Sequence, residues 1–207
     1  MKIIDISMKI SDKMITYEGD PKVKIKEMKN ISEDGVVVSK ICMGLHSGTH
    51  IDAPAHYLKE GESIDNINLE SLIGKAMVFD LTFVKDKIDI SYLKKYKIRE
   101  NEIILLKTRN SKLLKRKSFS RNFVYLSEDA ADYLIRGKIK AVGIDYLSIE
   151  KFKSKENYVH KQLLSNHIPI IEGLDLEHAE EGMYTIFCVP LKIMGREAAP
   201  ARCILIK

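Results

Sequence analysis

The stretch that decides the interpretation of this chain is His46-Ser47-Gly48-Thr49-His50-Ile51-Asp52-Ala53-Pro54-Ala55-His56. It contains three of the six histidines of the chain and one aspartate. Imidazole nitrogens and carboxylate oxygens are the usual ligands of zinc, manganese and iron in proteins. Glycine, β-branched residues and a proline within this stretch argue against a helix. The segment therefore predicts a metal site built on a tight turn that leads into an extended strand.

Extended geometry explains how these ligands could meet. Residues two apart in a strand share a face, so His50 and Asp52 should point the same way. A turn at Ser47-Gly48, where glycine supplies backbone freedom, could bring His46 back beside them. The alternative is a surface loop that happens to be rich in histidine. We favour the metal site, because ligand types, turn residues and the stiffening proline all agree.

Further ligands must come from elsewhere in the chain. Glu172 follows a predicted apolar strand directly and precedes Gly173, at a strand end where functional groups are common. His160 lies twelve residues before it. On spacing alone, His160 fits a metal ligand and an ordinary core or surface histidine equally well. We interpret His167 and His178 as ordinary.

The rest of the chain alternates short apolar runs with turn and helix signals. We predict strands and helices that together form one α/β domain with a mixed sheet over residues 1–207. The strands are Ile3–Ser7, Val36–Gly44, Ala76–Phe83, Ile103–Lys107, Phe123–Leu126, Ala141–Ile144, Ile168–Ile171, Thr185–Pro190 and Cys203–Ile206. The helices are Ser91–Lys97, Glu128–Arg136 and Val159–Asn166, the second with Ser127 as its N-cap and Gly137 just past its end.

Composition narrows the possible partners. The 207 residues include 34 Lys and Arg against 29 Asp and Glu, a mild excess of +5 that does not require nucleic acid. The basic run Lys112–Arg121 has Phe119 as its only aromatic residue, so we interpret it as a solvated loop. No apolar run approaches the ~18 residues of a membrane span, and we expect no signal peptide at the N-terminus, since Asp5 interrupts any apolar run there. We expect no nucleic-acid partner, no membrane insertion and a cytoplasmic location.

The three cysteines, Cys42, Cys188 and Cys203, lie in apolar runs and show no Cys-x-x-Cys spacing. We expect them to be small buried hydrophobic residues with free thiols in a reducing compartment.

The string HSGTHIDAPAH resembles the H-x-G-T-H-x-D-x-P-x-H signature of the cyclase-like metal-dependent hydrolases, the family that includes bacterial kynurenine formamidases (arylformamidases). The resemblance extends over nearly the whole chain. Other segments similar to the family are Asp5-Ile6-Ser7, Tyr17–Pro21, Leu105–Ser111, Val142–Asp145, His160–Glu172 and Gly195–Leu205. The chain departs from the family in lacking Trp, in having Glu18 where proline is usual and in having Arg109 where glycine is usual. We expect these positions to shape the substrate pocket.

The resemblance implies a swivelling β/β/α fold, a homodimer and a small-molecule substrate. It implies that His46, His50 and Asp52 bind one divalent metal, and that Asp52 bridges to a second held by His160 and Glu172. Zinc is the first expectation and manganese the second.

The implied reaction is hydrolysis of a small amide, such as the N-formyl arylamine N-formylkynurenine, to formate and the amine. Water activated by the metal attacks the carbonyl, and His56 acts as general acid/base. The alternatives are hydrolysis of a cyclic amide or lactone, as in the related isatin hydrolases, and a non-hydrolytic cyclase or ligand-binding protein.

Overall fold

The computed structural model describes all 207 residues, and its largest sheet closes on itself. The strands are β1 (Ile3–Asp5), β2 (Lys24–Lys29), β3 (Val38–Cys42), β4 (His50–Asp52), β5 (Ile73–Asp80), β6 (Lys87–Ile88), β7 (Ile103–Lys107), β8 (Tyr125–Leu126), β9 (Ala141–Ile144), β10 (Ile170–Glu172), β11 (Gly182–Pro190) and β12 (Ala198–Ile206). The helices are α1 (Ile31–Asp34), α2 (Ile90–Leu93), α3 (Glu128–Arg136) and α4 (Tyr158–Ser165). Short 3-10 turns cover Pro54–His56, Leu69–Ser71 and Arg109–Lys112.

The order of strands in the large sheet is β1-β12-β11-β5-β7-β9-β10-β4. Strand β4 also pairs with β12, so seven strands form a closed ring and β1 lies alongside it. The four neighbours β5, β7, β9 and β10 run parallel, whereas the remaining pairs are antiparallel. The α/β class with a mixed sheet, predicted from the sequence, is confirmed.

Alternate residues of the central strands pack into two separate hydrophobic cores. In β7, Ile103 and Leu105 belong to a cluster of 21 buried residues inside the ring. Ile104 and Leu106 belong to a second cluster of 21 between the outer face of the sheet and helices α3 and α4. Parallel strands buried on both faces read as continuous apolar runs, which is why the sequence reveals them clearly. Helix α3 has the predicted bounds.

Several predicted elements differ from the structure. The strand predicted at Val36–Gly44 is shorter and pairs with β2, a strand that the sequence analysis missed, instead of joining the large sheet. The helix predicted at Ser91–Lys97 ends at Leu93. The ring of Tyr96 stacks on Phe79 at 4.0 Å between centroids, and its hydroxyl donates to the Asp80 carbonyl, so the chain leaves the helical path.

The prediction of three free, buried cysteines was wrong in two respects. Cys188 and Cys203 are buried as expected, but they face each other on β11 and β12, with Cα atoms 4.2 Å apart, and form a disulfide. This pairing follows from strand register, which residue spacing alone does not reveal. Cys42 is a free thiol and is exposed.

None of the helices has both the length and the apolar character needed to cross a lipid bilayer.

A two-stranded hairpin stands apart from both cores. We call residues 24–42, which comprise β2, α1 and β3, the hairpin arm. Every residue of β2 and β3 is exposed. The large exposed apolar side chains of the arm are Ile25, Met28, Ile31, Val36, Val37, Val38 and Ile41. An isolated hairpin is only marginally stable in water, and a contiguous exposed apolar surface marks an interaction site.

We propose that a second copy of the chain covers the hairpin arm in a homodimer. Ile25 and Ile41 are register partners, 41% and 50% exposed. Replacing both by threonine keeps the β-branched shape but removes apolar surface. Burial of each isoleucine is worth about 1.5–3 kcal/mol, so the dimer should weaken at least about 100-fold. Analytical ultracentrifugation measures this. The adjacent pair Lys26→Thr/Lys40→Thr is the matched control, and a monomeric wild-type protein would refute the proposal.

Candidate metal centre

The strand that closes the ring carries two of the expected ligands. In β4, Ile51 points into the interior core, so His50 and Asp52 both face the opposite side, towards α4. Strand β10 pairs with β4 so that Glu172 lies opposite His50. The prediction that His50 and Asp52 share one face agrees with the structure.

A tight contact between two glycines holds this corner. Gly48 and Gly173 have φ values of 72° and 67°, a region that favours glycine. A Cβ atom on Gly173 would lie 2.2 Å from the Gly48 carbonyl oxygen, so no other residue fits there without rearrangement. The Thr49 hydroxyl donates to the Gly173 carbonyl and accepts from the Met8 N–H. The turn after Gly48 is thereby tied to the end of β10.

The turn brings His46 back to the strand, as the sequence analysis expected. Nδ1 of His46 lies 2.9 Å from Oδ1 of Asp52. Nε2 of His50 lies 3.4 Å from the same oxygen and 3.5 Å from Oε2 of Glu172. Nδ1 of His50 is 2.9 Å from the Gly48 carbonyl, which can only accept. In the neutral form of the ring the proton therefore sits on Nδ1, which leaves the Nε2 lone pair available to a metal ion.

Helix α4 supplies His160 from the other side. Nε2 of His160 lies 3.3 Å from Oε1 of Glu172 and 3.8 Å from Oδ2 of Asp52. Its Nδ1 is 2.6 Å from Oε2 of Glu150, a buried carboxylate that also accepts from the backbone N–H groups at the start of α4. Glu150 therefore fixes the ring so that Nε2 faces the cluster. Glu172 accepts a further hydrogen bond from the Ile149 N–H.

Three buried atoms at the centre of the cluster lack any hydrogen-bond partner. They are Nε2 of His50 and both carboxylate oxygens of Asp52. The short contact between Nδ1 of His46 and Oδ1 of Asp52 does not have hydrogen-bond geometry. Both atoms are therefore available to bind the same metal ion. A buried unpaired charge costs several kcal/mol, which a bound cation removes. Imidazole and carboxylate donors without thiolate suit zinc or manganese, so the residues fit a divalent ion.

The electrostatics of the cluster also favour a cation. Burial lowers the pKa of His50, but the carboxylates of Asp52 and Glu172 outweigh it and raise that pKa to about 10. His160 follows the same pattern: burial lowers its pKa, yet Glu150, Glu172 and Asp52 raise it to about 10. Although burial raises the pKa of Asp52, His46 and His50 hold it well below its usual range. The cluster thus holds ionised carboxylates that attract positive charge.

Asp52 is shared by two groups of ligand atoms. One group is His50, Asp52 and Glu172, and the other is His46, Asp52 and His56; within each group the ligand atoms lie within 4.8 Å of one another. Because Asp52 belongs to both groups, it could contact an ion in either one, and its bridging role stays a prediction. The two groups differ from the ligand sets that the resemblance implies. Those sets place His46 and His50 on the same metal and do not include His56. His56 lies nearer to the ligands than expected, with its ring centroid 4.2 Å from that of His46.

A small cavity of about 170 Å³ gives access to the cluster. Its walls include His46, His56, Tyr57 and His160, together with Tyr17. Burial lowers the pKa of His56, and the imidazoles of His46 and His160 lower it further. The carboxylates of Asp52 and Glu172 raise this pKa but do not outweigh the other effects. His56 is therefore a neutral imidazole near neutral pH, able to accept a proton in the cavity.

Sequence analysis missed two residues of this site. Glu150 belongs to no recognisable motif, and only the fold brings it against His160. Tyr57 follows the signature directly, and its ring lies 4.8 Å from that of His160. His167 and His178 lie outside the cluster, as expected, and Arg109 does not line this cavity.

Comparisons with known proteins find relatives over nearly the whole chain. The family profile described as "Putative cyclase" matches residues 4–151. The chain is 36% identical to cyclase-like protein 3 of Arabidopsis thaliana, over 100% of this chain and 80% of that protein. It is 30% identical to the kynurenine formamidase of Bacillus thuringiensis (strain Al Hakam), over 98% and 96% respectively. A solved structure of a potential metal-dependent hydrolase with cyclase activity superposes with a TM-score of 0.87 at 38% identity, covering 99% of this chain and 96% of that one.

The contact between Glu150 and His160 generates a prediction about metal affinity. Glu150→Gln removes the charge that orients His160, and loss of such an orienting group typically weakens metal binding about 10–100-fold. Competition with a chromophoric chelator measures the affinity. Glu156→Gln removes an exposed carboxylate from the same loop and serves as control. Equal affinity in Glu150→Gln and wild type would rule out this role for Glu150.

Proposed function

The chain belongs to the cyclase family of metal-dependent hydrolases, and we propose that it hydrolyses a small amide, an N-formyl arylamine, to formate and the free amine. The observation that carries this proposal is the pair of unsatisfied buried oxygens of Asp52, which lie beside a cavity lined by the neutral imidazole of His56. The relatives named kynurenine formamidase support the amide substrate, since this chain covers nearly their whole length.

In this proposal His46, His50, Asp52, His160 and Glu172 hold one or two divalent ions, zinc before manganese. A divalent ion supplies Lewis acidity there, which polarises a carbonyl and makes water acidic enough to ionise near pH 7. The buried carboxylates hold the imidazole rings in place, and Glu150 fixes the tautomer of His160. The protein thus supplies a rigid set of donors before substrate arrives.

The remaining side chains of the cavity transfer the proton and hydrogen-bond to the substrate. His56 takes a proton from the attacking water and passes it to the leaving nitrogen, for which a neutral imidazole at working pH is suited. Burial raises the pKa of Tyr57, and the carboxylates of Glu172 and Asp52 raise it further, so its hydroxyl stays protonated. It can therefore donate a hydrogen bond to the substrate oxygen.

The size of the cavity favours a small acyl group. Its volume of about 170 Å³ accommodates a formyl group and the adjoining amide, and the aryl part would then lie against the tyrosine rings of the cavity wall. Tyr17 and Tyr57 supply aromatic rings to the cavity wall, and Phe119 and Phe152 support Tyr17, with centroids 4.9 and 5.8 Å away. This favours an arylamine as the leaving group.

We expect the wild-type protein to release formate from N-formylkynurenine. His56→Ala should lower kcat about 10²–10⁴-fold, the usual contribution of a positioned acid/base, while metal content stays near normal. Single-turnover formate release and elemental analysis on the same samples measure both quantities. His178→Ala, at an exposed histidine outside the site, is the matched control.

Two outcomes would change the assignment. If His56→Ala loses its metal, His56 is a ligand of the group it forms with His46 and Asp52, and the acid/base role is wrong. If the protein releases no formate, the amide proposal fails. Ring opening of isatin in that case would favour a hydrolase of cyclic amides, and inactivity on both substrates would favour a non-hydrolytic cyclase or a ligand-binding protein.

A further inference from the structure

A second cavity, which we call the basic pocket, lies outside the metal centre and has a volume of about 330 Å³. Its charged walls consist of four cations and one carboxylate: Lys85, Arg109, Arg121, Lys151 and Asp86. Arg121 is already paired with Glu18 through two contacts of 2.7 Å. The other three cations have no carboxylate within 4.0 Å. The pocket thus concentrates positive charge that the protein itself does not neutralise.

The basic pocket occupies a place in the sheet that suits a ligand. Lys85, Arg109 and Lys151 lie on the loops that follow β5, β7 and β9, three adjacent parallel strands. In open parallel sheets and in parallel barrels alike, ligands bind at the carboxyl ends of the strands, where such loops converge. The loop after β9 also lines the metal-site cavity through Leu147 and Ser148. The two cavities are therefore neighbours on one edge of the sheet.

The backbone around Arg109 is held on both sides. The preceding residue, Thr108, donates from its N–H and its hydroxyl to the buried carboxylate of Asp145, at 2.9 and 2.6 Å. The side chain of the following residue, Asn110, accepts from the Val124 N–H and donates to the Val124 carbonyl, at 2.8 and 2.7 Å. Arg109 is consequently presented from a fixed turn, which lowers the entropic cost of binding a ligand.

The apolar walls of the basic pocket are all aromatic: Phe123, Tyr125 and Phe152. Guanidinium groups bind carboxylate or phosphate oxygens in a bidentate manner, and aromatic rings stack on flat ligands. We propose that the basic pocket binds the oxyanion of a small aromatic molecule, with Arg109 as its principal partner. This proposal concerns binding, so it stands whether or not the chain hydrolyses a formamide.

Calorimetric titration of the metal-loaded protein with benzoate tests the proposal. We expect Arg109→Ala to weaken benzoate binding at least about tenfold, as expected for loss of a charge-assisted bidentate contact. Arg136→Ala, at an exposed arginine of α3 outside the pocket, should bind as wild type does. Acetate, which lacks the ring, should bind more weakly than benzoate.

Two results would overturn the proposal. One is equal benzoate affinity in Arg109→Ala and Arg136→Ala. The other is loss of binding in His50→Ala together with retention in Arg109→Ala, which would place benzoate on the metal centre instead. Metal content is measured on each variant, and Arg109→Ala should keep the wild-type value because Arg109 does not contact the cluster.

The anion could belong to the substrate or to a separate ligand, and inhibition kinetics distinguish these sources. If benzoate inhibits N-formylkynurenine hydrolysis competitively in wild type and more weakly in Arg109→Ala, the pocket binds the substrate's own carboxylate. Benzoate that binds without inhibiting assigns it to a separate ligand. A protein without formamidase activity would refute the proposed function alone, because the titration would still report on the basic pocket.

Discussion

The burial of two carboxylates, Asp52 and Glu172, on adjacent strands is the constraint on which the rest of the site depends. Both are almost fully enclosed, and the oxygens of Asp52 have no hydrogen-bond donor. Removing a carboxylate from water costs several kcal/mol unless positive charge compensates it. The surrounding imidazoles supply part of that compensation. We propose that a divalent ion supplies the remainder, which accounts for the convergence of His50 Nε2 and the Asp52 oxygens without a hydrogen bond to any of the three.

The fold produces this arrangement through the way its sheet closes. Strand β4 has only three residues, yet it pairs with β10 on one side and with β12 on the other. The residue that seals the interior core, Ile51, lies between the two ligands of the same strand. The strand pairings that close the ring therefore also place His50 and Asp52. The contact between Gly48 and Gly173 fixes the corner, so the ligands are positioned by backbone pairing instead of by flexible loops.

Sequence reasoning succeeded where the relevant interactions are local. The period of two in an extended strand placed His50 and Asp52 on one face, and the cap and end signals located α3 correctly. It failed where the fold brings distant segments together. The position of β4 between β10 and β12 and the disulfide between β11 and β12 depend on strand register, which has no local signature. The contact of Glu150 with His160 depends on how a loop packs against α4, which is equally non-local. Strand β3 was assigned to the large sheet because Val36–Gly44 resembles the other apolar runs, and β2 was missed because its sequence is mostly charged.

The central claim is that the buried carboxylates are stabilised by a bound divalent ion, and urea unfolding with and without a strong chelator tests it most directly. We expect at least one divalent ion per chain in the purified protein by elemental analysis. With the free ion at about 1,000 times its dissociation constant, chelation should lower the free energy of unfolding by about 4 kcal/mol. Asp52→Asn should bind little metal and show almost no response to the chelator. Metal-free protein with full activity, and with the same unfolding free energy in chelator, would contradict the account.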